Sequence, residues 1–303
     1  MSQQKNISYY HTKQSLASKV FHLVLKLVNI KSKLKNTGFS NKFKRADVPL
    51  PPPKLFKNIF ITTEKVNDRN VFTFTPQNNT SKKNVLFFHG GAYILNFTFV
   101  HWKLISRLLK ETKCIVTAVD YPLLPEYSYK ERLMMGEAVY KKMLQQTSAN
   151  NIVFMGDSSG GNLALSLAQK LVTDNIEQPS QIILLSPWLD VTMSNPEMEA
   201  VSKRDPILPI GDNTVGKLHA GDRDMKDFLV SPLYGSAKNL GQISLFTGTD
   251  DILNPDARKF KLKAENEGVN INYFEYKYMV HDWILFPIPE AKIAFKQIVE
   301  LLK

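Results

Sequence analysis

Six residues near the middle of the chain, Gly156-Asp157-Ser158-Ser159-Gly160-Gly161, have the types and spacing for covalent chemistry. They fit G-x-S-x-G, in which a serine stands on a sharp turn between a strand and a helix. The backbone of such a turn is strained, and glycines two positions before and after the serine remove Cβ atoms that would clash. The turn lifts the Ser158 hydroxyl out of the sheet and sets it at a helix N-terminus, where the helix dipole favours developing negative charge. Register selects the serine: Gly156 and Gly160 flank Ser158 symmetrically, whereas Ser159 has Asp157 two positions before it.

Two other uses of this run are weaker. A phosphate-binding turn would read G-x-x-x-x-G-K or G-x-G-x-x-G, and neither is present. The Gly-Asp-Ser-Gly-Gly run of trypsin-like proteases belongs to β-barrels with the chain order His, Asp, Ser. Here an extra serine, an alternating strand–helix pattern and a lone cysteine argue against it. A turn without chemistry is the plain alternative.

A serine needs a base, and the base needs an orienting acid. Two histidines follow Ser158, at His219 and His281. His219 has no strand leading to it. His281 follows the β-prone run 270–276 by five residues, on a loop expected at the same sheet edge as the nucleophile. The acid should end the preceding strand, and residues 243–246 run into Asp250 and Asp251. Spacing alone cannot separate the two, and either could cap the helix that starts near Pro255. The fourth part is His89-Gly90-Gly91-Ala92 after the apolar run 85–88. Backbone N–H groups of Gly90, Gly91 and Ala92, with that of Ser159, are candidate oxyanion donors; each is typically worth roughly 10²–10³ in rate.

These residues require a scaffold that gathers several loops at one edge. Strands expected at 58–62, 71–75, 85–88, 114–119, 152–155, 182–185, 243–246 and 270–276 alternate, after the first three, with helices near 101–111, 129–146, 163–172, 255–267 and 290–302. That alternation predicts an α/β fold with about eight mostly parallel strands flanked by helices. Residues 189–233 break it, with no clear strand and four prolines. So long an insertion after a strand end is expected to fold into small helices and act as a cap.

Charge divides the chain more sharply than composition does. Residues 1–57 hold eleven Lys and Arg45 against Asp47, the chain's whole net charge of +11, and the remaining residues sum to zero. A neutral body argues against nucleic-acid binding, which places its basic patch on the folded domain. Residues 1–15 are expected to be frayed. Leu16, Val20, Leu23, Leu27, Ile30 and Leu34 recur at helical spacing, with Lys19, His22, Lys26 and Lys33 opposite. The expectation is that this apolar face packs on the body as part of the cap, over residues 16–45; contact with a membrane surface is possible but less favoured. Pro49 and Pro51 to Pro53 then stiffen the chain. The domain reading is a basic helical segment at 1–57 and a catalytic domain at 58–303. One cysteine, Cys114, excludes a disulfide framework and fits a cytoplasmic setting. No apolar run reaches the roughly 18–20 residues of a spanning helix.

Taken together, these motifs resemble the α/β-hydrolase superfamily, and within it the bacterial carboxylesterases of the hormone-sensitive-lipase group. The resemblance covers about residues 80–300. It rests on His89-Gly90-Gly91-Ala92, Asp120-Tyr121-Pro122-Leu123-Leu124-Pro125-Glu126, Gly156-Asp157-Ser158-Ser159-Gly160-Gly161, Ser186-Pro187-Trp188, Ser231-Pro232-Leu233-Tyr234 and Asp251-Ile252-Leu253. It implies an α/β-hydrolase fold with a helical cap and the triad Ser158, Asp251, His281, because the family acid precedes an x-Leu pair. It also assigns oxyanion donation to Gly91 and Ala92, with alanine standing where the family has a third glycine. Pro122 and Leu124 depart from the family's Asp-Tyr-Arg-Leu-Ala-Pro-Glu. The implied activity is hydrolysis of short- to medium-chain carboxylic esters, a small-molecule substrate class needing no metal and no cofactor. An amidase or peptidase on the same triad, or a non-catalytic receptor of small ligands, are the alternatives. Oligomeric state is not legible.

Overall fold

A computed structural model describes residues 7–32, 46–211 and 213–303. Its centre is one nine-stranded sheet: β1 (Ser8–His11), β2 (Ile59–Val66), β3 (Arg69–Pro76), β4 (Asn84–Phe88), β5 (Ile115–Val119), β6 (Ile152–Asp157), β7 (Gln181–Leu185), β8 (Gln242–Gly248) and β9 (Asn272–Tyr276). The spatial order is β1-β9-β8-β7-β6-β4-β5-β3-β2. Only β2 with β3 and β3 with β5 pair antiparallel.

Helices cover both faces. They are α1 (Leu16–Val28), α2 (Phe99–Thr112), α3 (Tyr129–Leu144), α4 (Ser158–Thr173), α5 (Glu197–Ser202), α6 (Thr214–Ala220), α7 (Asn254–Asn266) and α8 (Pro289–Leu301). Successive strand side chains point to opposite faces. Leu86, Phe88 and Phe154 therefore enter the core beneath α3, α4 and α7. Val85, Phe87, Val153 and Met155 enter the other, beneath α2 and α8. Burial on both faces explains why the central strands read as continuous apolar runs.

The sequence expectation of about eight strands falls one short. The extra strand is β1, within the stretch expected to fray. It pairs parallel with β9, and His11 and Tyr9 pack on Tyr276 at ring separations of 5.0 and 5.5 Å. Four residues at a sheet edge are too short a stretch for a period-two signal. The first two expected strands are also longer than read, joined at Asn67-Asp68, both with positive φ (48° and 62°), as a tight hairpin favours. Within residues 189–233 the described residues form no strand and hold the short helices α5 and α6.

A second correction concerns α1. Leu16, Val20, Leu23 and Leu27, expected to pack on the body, are exposed. Ser18 and Leu25 are buried instead, with Phe21 and His22 half-buried beside them. Polar anchoring sets this rotation. The buried Glu290 carboxylate, at the start of α8, accepts from the Ser15 N–H at 2.6 Å and from the Ser15 and Ser18 hydroxyls at 3.0 Å. Phe21 packs on Phe286 at 4.9 Å. Ile30 is half-buried, and Leu34 and Lys33 lie outside the described residues.

Candidate active site

β6 passes without a loop into α4, so Ser158 is the first residue of that helix. Its φ is +51°, a left-handed conformation that costs energy for any residue with a Cβ. Two glycines make the turn possible. A Cβ on Gly156 would lie 2.3 Å from the Gly160 carbonyl oxygen, and one on Gly160 would lie 2.1 Å from that of Phe88. The second contact ties the Ser158 turn to the end of β4, from which the candidate oxyanion loop departs.

The loop after β9 brings His281 to Ser158, with Nε2 and Oγ 3.0 Å apart. The other ring nitrogen, Nδ1, lies 3.0 Å from Asp251 Oδ2. Asp251 Oδ1 accepts from the Leu253 N–H at 2.9 Å, which fixes the carboxylate plane. In the tautomer that fits this series, Nδ1–H donates to Asp251 and Nε2 is left to accept from the Ser158 hydroxyl. The two aspartates are thus separated by geometry: Asp250 turns away and accepts from Arg204 Nε at 3.0 Å.

His281 has a second carboxylate within reach. Asp282 Oδ2 lies 3.1 Å from Nε2, the same nitrogen that faces Ser158. Burial disfavours the imidazolium, but Asp282 and Asp251 outweigh burial and lift His281 well above the usual histidine range. Burial in turn pushes Asp282 up to about 6.

His219, the other downstream histidine, takes a different partner. Its Nδ1 accepts from the Arg132 guanidinium at 2.9 Å, and its ring stacks on Tyr93 at 4.2 Å. Burial and the Arg132 charge hold it well below its ordinary value, hence neutral. Arg132 is itself buried; it donates to the Pro122 carbonyl at 3.0 Å and lies over the Tyr93 ring at 4.4 Å. The sequence reading missed it, since an arginine in an amphipathic helix carries no sign of burial.

The oxyanion loop corrects one assignment. The Gly90 N–H donates to Asp157 Oδ2 at 3.0 Å, so it is already committed within the protein. Neither Gly91 nor Ala92 has its N–H bonded to another described residue. Both have positive φ, 118° and 54°. Alanine at 92 is therefore strained where glycine would not be. The residues on either side of Ser158 both hold this loop. Asp157 holds Gly90, and Ser159 Oγ accepts from the Tyr93 N–H at 3.3 Å. Asp157 is steadied in turn by His101 Nε2 at 3.2 Å, and Thr98 N–H donates to the opposite ring nitrogen at 2.9 Å. Asp157 stood inside the motif as an unassigned position, and its place directly before Ser158 was the available signal. Behind the loop, His89 stacks on Tyr121 at 4.3 Å, and burial with His101 nearby pushes it to about 3. Among the described residues no cluster of three metal-ligating side chains occurs.

A strained serine, a buried imidazole and a buried carboxylate in hydrogen-bonded series, at the C-terminal edge of a parallel sheet, define a hydrolase-type site. Residues 85–285 match the family described by the alpha/beta hydrolase fold, and the chain belongs to that family. An esterase of Acinetobacter venetianus is 35% identical over 70% of this chain and 72% of its own length. A triacylglycerol lipase of Mycobacterium tuberculosis is 31% identical over 83% of this chain, which spans only 54% of that relative. Among solved structures, a putative esterase from Staphylococcus aureus superposes with a TM-score of 0.78 at 27% identity, covering 95% of this chain and 93% of that one. An esterase of the bacterial hormone-sensitive lipase family superposes at 0.83 with 23% identity, covering 96% and 98%, a likeness of fold. Among the described residues no helix is long and apolar enough to cross a membrane.

Proposed function

We propose that this protein is a serine carboxylesterase of short- to medium-chain esters that works through an acyl-enzyme. The observation that carries the reading is the Ser158–His281–Asp251 series, with 3.0 Å at each link. Ser158 Oγ attacks the ester carbonyl carbon while its proton passes to His281 Nε2. The carbonyl oxygen becomes an oxyanion facing the N–H groups of Gly91, Ala92 and Ser159, donors aimed where charge develops. As the intermediate collapses, the C–O bond to the alcohol breaks and His281 returns the proton to the leaving oxygen. Water, deprotonated by His281, then releases the acid and restores Ser158.

In this reading residues 189–233 act as the cap, and the N-terminal segment, expected to share that role, meets it from the side through α1 and Lys31. The two regions touch: His22 Nε2 lies 3.1 Å from the Arg204 carbonyl oxygen, and the Lys31 ammonium donates to the Ser202 hydroxyl at 2.8 Å. The lone, buried Cys114 suits the reducing cytoplasm this reading assigns. The test is hydrolysis of p-nitrophenyl acetate and butyrate beside matched anilides. Ester turnover should fall by about 10⁴-fold or more in Ser158→Ala. Equal rates in the two proteins would refute the serine mechanism, and faster anilide cleavage would replace esterase by amidase.

A further inference from the structure

Six apolar residues of α1, Leu16, Val20, Leu23, Val24, Leu27 and Val28, point into solvent, with exposures of 46% to 77%. The helix is not free to roll them inward. Glu290 holds Ser15 and Ser18, Phe21 sits on Phe286, and the buried Leu25 faces the body. The apolar face is therefore presented outward by fixed anchors, and six such residues in water are unfavourable unless something covers them.

Charge identifies the occupant. The helical repeat of about 100° per residue sets Lys19 and Lys26, both exposed, along one rim of the apolar face. Residues 1–57 carry the chain's entire net charge of +11. A second copy docking here would press two like-charged segments together. An anionic lipid surface satisfies both features at once: the boundary between headgroups and acyl chains takes the leucines and valines, and the phosphates take the lysines. At 13 residues α1 is too short to span a bilayer, so it would lie in the interface plane.

We propose that α1 docks this protein on an anionic lipid surface. Docking there also orients the catalytic edge. His22, on the body side of α1, stands 3.9 Å from Asp250, the neighbour of Asp251. The docking helix and the triad thus share one sheet edge, and ester substrate held in that surface lies next to the site. The lipid contact is independent of the esterase reading, because binding is measured without turnover.

The full chain is sedimented with phosphatidylcholine vesicles and with mixed phosphatidylcholine–phosphatidylglycerol vesicles, at low and high salt. Wild type should bind the mixed vesicles, and high salt should weaken that binding. The triple variant Leu16→Ser/Leu23→Ser/Leu27→Ser, which leaves the charge unchanged, should lose about tenfold or more in partitioning. Lys19→Gln/Lys26→Gln should lose roughly fivefold per lysine. Both variants should keep the wild-type melting profile and soluble-ester kinetics, since these side chains are exposed. Wild type that ignores the mixed vesicles overturns the proposal, as does equal, salt-independent binding to neutral vesicles. So does concentration-dependent dimerisation that the leucine variant abolishes in the absence of vesicle binding.

Discussion

The sheet edge around Ser158 and the helix α1 lie side by side, yet their sequence signals constrain the structure to different degrees. At the edge, backbone sterics leave little choice: Gly156 and Gly160 fit where no Cβ can, and Ser158 follows from them. In α1, the repeat of leucines and valines specifies a helix with an apolar side and leaves open what that side meets. Three polar contacts to Glu290, made across the whole length of the chain, turned it to solvent. A motif that encodes a steric requirement carries over into structure directly, whereas periodicity fixes a conformation and leaves its partner undetermined.

The sharpest way to break the contrast is at the paired aspartates. Asp251→Asn should lower kcat by about 10³–10⁴-fold with KM little changed, because the imidazole loses its tautomer and orientation. Asp250→Asn weakens the contacts with Arg204 and His22, neither of which touches His281 or Ser158, and should stay within about tenfold on the same assay. The reverse ranking would show that the series Ser158–His281–Asp251 is not the working one.

A smaller effect concerns the pH profile. In the proposed mechanism the base must be neutral to accept the Ser158 proton, so a raised His281 places the acidic limb of kcat/KM at higher pH than an ordinary histidine would. Asp282 is the foremost of the groups that lift it against burial. Asp282→Asn should therefore move that limb to lower pH while the maximal rate changes by less than about tenfold. An unmoved limb, read from full pH–rate curves, would remove Asp282 from the account of the base.

The smallest effect lies at the anchor of α1. Glu290→Gln should cost about 1–2 kcal/mol, read from denaturant unfolding, because it weakens three hydrogen bonds to a charged acceptor. Soluble-ester kinetics should be unchanged. Those hydrogen bonds hold the Glu290 carboxyl below its ordinary range even though burial opposes it. Its contribution is then fully present above the unfolded value of about 4.3 and is lost as pH falls through the lower folded value. A wild-type and variant difference that persists undiminished in acid would contradict the anchoring.

Read by itself, the sequence determined the alternating α/β order and the glycine-flanked turn at Ser158, and it offered His281, Gly91 and Ala92 as candidates for the site. Each of these rests on residues a few positions apart whose sterics or periodicity act locally. Tertiary structure decided the rest. It committed the Gly90 N–H to Asp157 across 67 residues. It also buried Arg132 against His219 across 87 residues. It added β1 to the far end of the chain at β9, and it set the rotation of α1 through Glu290, 275 residues from Ser15. Burial and partnership at that range depend on which surfaces the folded chain brings together, and no local pattern of residues specifies them.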